Sequence, residues 1–62
     1  MYRLEVFYDG ALQHVELRAN AAEVLDAIPE LLREHAGCER IVVTFGSARL
    51  FAVDCKGNTS PA

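Results

Sequence analysis

The stretch that decides the fold is FYDGALQH, Phe7 to His14, because its Asp-Gly pair separates two runs of alternating apolar residues. YRLEVFY precedes the pair and ALQHVELRA follows it, and both runs have the period-two pattern of half-buried strands. A type I′ turn needs positive φ at both central residues, which Asp and Gly tolerate. The sequence therefore predicts a hairpin that pairs Tyr8 with Ala11 and Phe7 with Leu12.

A regular ladder continued from this turn sorts the hairpin into two faces. Pairing would run from Val6 with Gln13 outward to Tyr2 with Leu17. One face would then be mostly apolar, with Tyr2, Leu4, Val6, Tyr8, Ala11, Val15 and Leu17. The other face would hold the pairs Arg3–Glu16, Glu5–His14 and Phe7–Leu12. Because a slip of one residue would turn the apolar set to solvent, the sequence predicts this register.

NAAEVLDAIPELLREHAG predicts a helix from about Ala21 to Ala36. Asn20 is a favourable N-cap, and Glu23 three residues later can complete a capping box. Gly37 can adopt the left-handed conformation that ends a helix. Pro29 removes one intrahelical hydrogen bond, so either one kinked helix or two shorter helices could form. The apolar residues of the predicted helix keep the spacing of one helical face before and after Pro29, which favours one kinked helix.

A second hairpin is predicted from ERIVVTFG and ARLFAVDCK, with Gly46 and Ser47 in a type II′ turn. A regular ladder would place Phe45–Ala48, Val43–Leu50 and Ile41–Ala52 on one face. It would place Val42–Phe51, Thr44–Arg49 and Arg40–Val53 on the other. The last segment, KGNTSPA, has little to bury. We therefore expect a single domain over residues 1–55 and a mobile tail over 56–62.

These elements predict an α+β fold of two layers, ββαββ, with one helix packed on a four-stranded sheet. With strands numbered along the chain, the two hairpins would meet through the first and last strands, in the order 2-1-4-3. This element order resembles the β-grasp roll of ubiquitin-like domains and protein-G-type immunoglobulin-binding domains. The resemblance implies the layout alone, because a shared fold does not transfer a function.

The sheet face that the helix leaves uncovered is the candidate functional surface. Its predicted members are Phe7, Leu12, Val42, Phe51, Val53, Arg3, Arg40 and Arg49. Aromatic residues and Arg are enriched among interface anchors. We therefore expect a small non-enzymatic protein-interaction module that forms a homodimer or binds another protein. The alternative is an ordinary surface whose scattered apolar groups are covered by Arg stems.

A second functional class uses the same face to bind single-stranded nucleic acid. Bases would stack on Phe7 and Phe51 while the Arg residues meet phosphates. The net charge of −3 argues against this role.

The sequence also lacks the pattern of a secretory signal and an apolar run long enough to span a membrane, so we expect a cytoplasmic protein.

The regular second ladder would bring Cys38 opposite Cys55, so a disulfide and a pair of free thiols both stay open. A cytoplasmic location favours free thiols. His35 and the two cysteines are too few for a structural zinc site. Cys55 and His14 could form a dyad, but no pattern brings them together, and the isolated glycines form no phosphate loop. We therefore expect no enzyme activity, cofactor, metal or small-molecule substrate.

Overall fold

A computed structural model describes residues 1–61 and shows one helix packed on an antiparallel five-stranded sheet. The elements in chain order are β1 (Tyr2–Tyr8), β2 (Ala11–Arg18), α1 (Ala21–Glu34), β3 (Arg40–Phe45), β4 (Ala48–Asp54) and β5 (Thr59–Ser60). The strands lie in the order β2-β1-β3-β4-β5. The predicted α+β class with a helix on one side of a sheet is confirmed.

The predicted strand order 2-1-4-3 is wrong, and so is the count of four strands. β1 pairs with β3, antiparallel, and β5 adds a fifth strand beside β4. The physical reason lies in β3, where the run from Ile41 to Thr44 is buried on both faces. The centre of a sheet can bury both faces of a strand, whereas the predicted order would have left this run at an edge. The β-grasp layout is therefore not adopted.

The first turn forms as predicted, but the ladder behind it contains a bulge. Asp9 and Gly10 have φ values of 50° and 79°, and Phe7 pairs with Leu12. Val6 then pairs with His14, which leaves Gln13 as an extra residue on β2.

Beyond this bulge the predicted register is wrong, and the two faces of β2 are exchanged. Leu4 and Val6 face the helix, and their partners Glu16 and His14 share that side. Val15 and Leu17 therefore lie on the face that the helix leaves uncovered. The predicted pairs Arg3–Glu16 and Glu5–His14 do not form.

The second hairpin contains the same kind of irregularity. The pairs next to the turn form as predicted, Phe45 with Ala48 and Thr44 with Arg49. Val43 then pairs with Phe51, so that Leu50 becomes the extra residue. The shift turns Phe51 and Val53 to the helix side, where Val53 belongs to the buried core and Phe51 packs against it. Their predicted position on the helix-free face is wrong for this reason.

The helix begins as predicted and runs without a break through Pro29. Asn20 Oδ1 accepts a hydrogen bond from the Glu23 backbone N–H at 2.9 Å, and Glu23 Oε2 accepts one from Asn20 Nδ2 at 3.2 Å. The first of these bonds satisfies a backbone N–H that the first turn leaves free, and the second links the two side chains. The last helical residue is Glu34, two residues before the predicted Ala36, and Gly37 follows with a φ of 90°.

The core lies between α1 and the sheet. Its buried members are Leu4, Val6, Val24, Ala27, Leu31, Cys38, Ile41, Val43 and Val53. The partly buried residues packed against it are Tyr2, Tyr8, Ile28, Leu32 and Phe51. Because these residues occupy one side of the sheet, the other side depends on its own side chains for cover.

Part of the segment predicted to be a mobile tail is a strand. Thr59 and Ser60 pair with Val53 and Ala52 of β4. The loop that precedes them is organised by Asp54, whose Oδ1 accepts hydrogen bonds from the backbone N–H groups of Lys56 and Asn58 at 2.9 and 3.0 Å. The sheet therefore continues beyond residue 55, and Ala62, the last residue of that segment, lies outside the described residues.

Candidate interaction surface

The ladders fix which side chains share the helix-free face of the sheet. Three rows cross this face, with one residue each from β2, β1, β3 and β4: Leu12, Phe7, Arg40 and Asp54; Val15, Glu5, Val42 and Ala52; and Leu17, Arg3, Thr44 and Arg49. The apolar residues of this face are concentrated along β2. Leu12, Val15 and Leu17 of β2, together with Phe7 of β1 opposite Leu12, form what we call the apolar band.

The apolar band is largely open to solvent. Leu12 is 44% exposed and Leu17 is 55% exposed, while Phe7 and Val15 are half-buried. The Arg40 guanidinium carbon lies 5.0 Å from the centre of the Phe7 ring, a cation–π distance. The band therefore combines exposed aliphatic groups with an aromatic ring that an Arg partly covers.

The residues of β3 and β4 at the centre of the same face are shielded from solvent. Val42 has only 3% of its surface exposed, and Thr44 and Ala52 are also buried. Val42 lies in a depression of about 250 Å³ whose lining includes Arg40 and Arg49. Val42 therefore lies on the predicted face but offers almost no surface to a partner.

The charged residues of this face are mostly engaged with neighbours. Arg3 Nε donates to Glu5 Oε2 at 2.8 Å, and Arg40 Nη1 lies 3.4 Å from Glu39 Oε2. Arg49 is exposed and makes no ion pair within residues 1–61. Exposed pairs of this kind add little stability, so they remain free to rearrange around a partner.

The structure brings together fewer of the predicted anchors than the regular ladders implied. Phe7 and Leu12 share the helix-free face and are accessible, whereas Phe51 and Val53 belong to the opposite side. Sequence reasoning missed Val15 and Leu17, because a period-two pattern does not reveal a bulge. The available signal was that Leu12 is out of phase with Val15 and Leu17 in a regular ladder, whereas one extra residue brings all three onto one face.

The helix side of β2 carries a polar cluster instead. The imidazole rings of His14 and His35 lie 5.0 Å apart, and the Tyr8 hydroxyl is 3.2 Å from His35 Nδ1. His14 Nε2 lies 3.4 Å from Glu16 Oε1. The cluster joins β1 and β2 to the C-terminal end of α1. It involves no contact with Cys55, so the His14–Cys55 dyad considered from the sequence is not assembled.

Both cysteines are free thiols; Cys38 is buried in the core and Cys55 is exposed. Arg40 pairs with Asp54, one residue away from the register that would have set the two cysteines opposite each other. Burial, and secondarily the nearby Cys55, raises the pKa of the Cys38 thiol. Cys38 therefore behaves as an apolar core residue.

A groove of about 680 Å³ lies between α1 and the β4–β5 side of the sheet. Its volume is within the range of small-molecule sites, although the sequence predicts no small-molecule substrate. Its lining includes Ile28 and Phe51 and contains no charged side chain among the described residues.

Within residues 1–61, no three His, Cys, Asp or Glu side chains are grouped closely enough to hold a metal ion. The single helix of the same residues is too short and too polar to cross a membrane.

No family model, curated protein or solved structure matches this chain. The apolar band and its neighbours are therefore the basis for assigning a role.

Proposed function

We propose that this protein is a non-enzymatic interaction module that associates with itself through the apolar band. One observation carries the proposal: β2 lies at the edge of the sheet and directs Leu12, Val15 and Leu17 away from the helix. In an edge strand that covers the core, the apolar side chains would instead point toward the helix. The bulge at Gln13 produces the outward orientation.

Burial of the band offers a substantial gain to so small a chain. Removing apolar surface from water contributes roughly 25 cal/mol per Å², so covering a half-exposed leucine contributes on the order of 1 kcal/mol. A chain of 62 residues has a limited core, and association is a common way to extend it. Leu12 and Leu17 are the two band residues with most surface left to bury.

The surroundings of the band suit a protein partner. Arg40 stacks on Phe7 at one end, and the Arg3–Glu5 pair lies beside Val15 and Leu17. An apolar centre with a polar rim is the usual anatomy of a protein interface.

Single-stranded nucleic acid is not favoured as the partner. Phe7 and Phe51 were expected to form one stacking platform, but they lie on opposite sides of the sheet. A single ring beside a surface that includes Glu5 and Asp54 lacks the repeated stacking and continuous positive charge that such binding uses.

Sedimentation equilibrium across a wide range of protein concentrations tests the proposal. We compare the wild type with Leu17→Lys and use Leu25→Lys as a matched control. Both leucines are more than half exposed, but Leu25 lies on the helix, away from the band. We expect a concentration-dependent dimer for the wild type and for Leu25→Lys.

Leu17→Lys should weaken association by at least tenfold, since a buried ammonium would be added at the interface. Circular dichroism should show that both variants remain folded. A wild type that stays monomeric at every concentration would overturn self-association, and so would equal behaviour of the two variants.

A further inference from the structure

The outer edge of β2 is free to pair with another strand. Within residues 1–61, β2 pairs with β1 on one side and with nothing on the other. The strand is eight residues long and contains no Pro or Lys, which commonly protect sheet edges from pairing. Its protection is limited to the bulge near the turn and to its charged side chains.

One hydrogen bond shows which backbone groups point outward. The Leu17 carbonyl accepts from Arg18 Nη1 at 2.8 Å and so is served by a side chain. Because backbone groups alternate in direction along an antiparallel strand, Val15 has the same orientation as Leu17. The N–H and C=O groups of Val15 therefore face the open edge.

Symmetry restricts how two copies of this edge can meet. Identical strands that pair antiparallel are related by a two-fold axis perpendicular to the sheet, and directly opposed residues then lie on the same face. On β2, His14, Glu16 and Arg18 lie on the helix side, whereas Val15 and Leu17 lie on the other. The axis must therefore lie level with one residue of β2, so that this residue faces the same residue of the second copy.

Charge and length select one axis position. An axis at Val15 sets His14 opposite the second copy's Glu16 on both sides of the axis, where an imidazole N–H can donate to a carboxylate oxygen. An axis at Glu16 would oppose the two Glu16 carboxylates and set His14 against Arg18. An axis at Leu17 would limit the overlap to Glu16–Arg18, because β2 ends at Arg18.

We infer that the partner in self-association is a second copy docked edge to edge along β2, with the two-fold axis at Val15. This inference rests on the proposed function and adds its geometry. The two five-stranded sheets become one continuous sheet with both helices on the same side. On the other side the two apolar bands adjoin across the axis, where each Leu17 lies diagonal to the second copy's Val15 on the same face and loses part of its exposed surface.

Disulfide trapping tests the axis position directly. Each variant is made in a Cys55→Ser background, because Cys55 is exposed whereas Cys38 is buried. Val15→Cys places two thiols at a hydrogen-bonded pair whose Cα atoms lie about 5.5 Å apart, within disulfide range. The matched control is Leu17→Cys, whose two copies would lie roughly 14 Å apart, four residue rises along the strands.

Mild oxidation should convert most of Val15→Cys into a covalent dimer and little of Leu17→Cys. Trapping of Leu17→Cys in preference to Val15→Cys would overturn the Val15 axis. Dimerisation seen by sedimentation without trapping of Val15→Cys would overturn edge pairing while leaving the proposed function intact. A wild type that remains monomeric overturns both, so the two failures are distinguishable.

Discussion

Val43 lies directly opposite Phe51 in the ladder between β3 and β4, on the side of the sheet that the helix covers. The pairing exists because Leu50 is an extra residue on β4. Without this bulge Val43 would face Leu50, and Phe51 would point away from the core. The bulge exchanges a smaller core pair for a larger one and leaves Leu50 exposed.

Phe51→Ser should therefore destabilise the monomer. Phe51 packs against the core, so its loss should lower the free energy of unfolding by about 2–4 kcal/mol. The matched control is Phe45→Ser, because Phe45 is 48% exposed and its ring makes an edge contact with Tyr2. We expect the control to cost about 1 kcal/mol. Urea unfolding measures both, and equal effects would contradict the core position of Phe51.

Deletion of Gln13 tests the first bulge. Since Gln13 is the extra residue, its removal should leave a regular ladder in which Val6 still pairs with His14. We expect a folded protein whose stability differs by at most about 1 kcal/mol. Proton NMR should still show contact between the rings of His14 and His35. Loss of that contact, or an unfolded chain, would mean that the faces of β2 are not arranged as described.

The local elements of this fold could be predicted from the sequence because their signals are local. The Asp9–Gly10 turn, the Asn20 cap and the continuation of the helix through Pro29 each depend on residues within a few positions. Both hairpins are also correct close to their turns, where turn geometry sets the pairing. Such features require no knowledge of the rest of the chain.

The register beyond each bulge could not be predicted with the same rules. In β4 the run from Leu50 to Val53 is apolar throughout, so it fits the core in either phase. The larger side chains, Phe51 and Val53, were the better candidates for burial. In β2 the decisive factor was position, because an edge strand can place polar residues such as Glu16 beside the helix without burying them fully.

The central position of β3 had a signal in the sequence. Its IVVT run is continuous rather than alternating, which is typical of a strand covered on both faces. The order 2-1-4-3 conflicted with that pattern. Two of the band residues, Val15 and Leu17, depended on the bulge and were beyond the reach of pattern alone.

Asp54 should contribute a specific acid dependence to stability. Hydrogen bonds from the backbone N–H groups of Asn58 and Lys56 lower the pKa of its carboxyl. A lowered pKa in the folded state stabilises the protein above the unfolded-state value, about 3.9 for Asp, and this contribution is lost as the pH falls through the folded value. Wild-type stability should therefore fall more steeply than that of Asp54→Asn below about pH 5.

The control for this measurement is Asp26→Asn, which removes an exposed carboxylate on the helix. Urea unfolding at a series of pH values compares the acid slopes of the wild type, Asp54→Asn and Asp26→Asn. If Asp54→Asn keeps the full wild-type slope, the loop hydrogen bonds do not stabilise the ionised carboxylate.

The two thiols should differ sharply in reactivity. Cys55 is exposed, whereas burial and the nearby Cys55 raise the pKa of Cys38, and the thiolate is the reactive form. With an aromatic disulfide reagent at pH 8, one thiol should react at once. The second should react on the order of 100-fold more slowly, because it requires local opening of the core.

Cys55→Ser should remove the fast phase alone, and addition of urea should merge the phases in the wild type. Two fast thiols would place Cys38 outside the core, and the absence of both phases before reduction would indicate a disulfide.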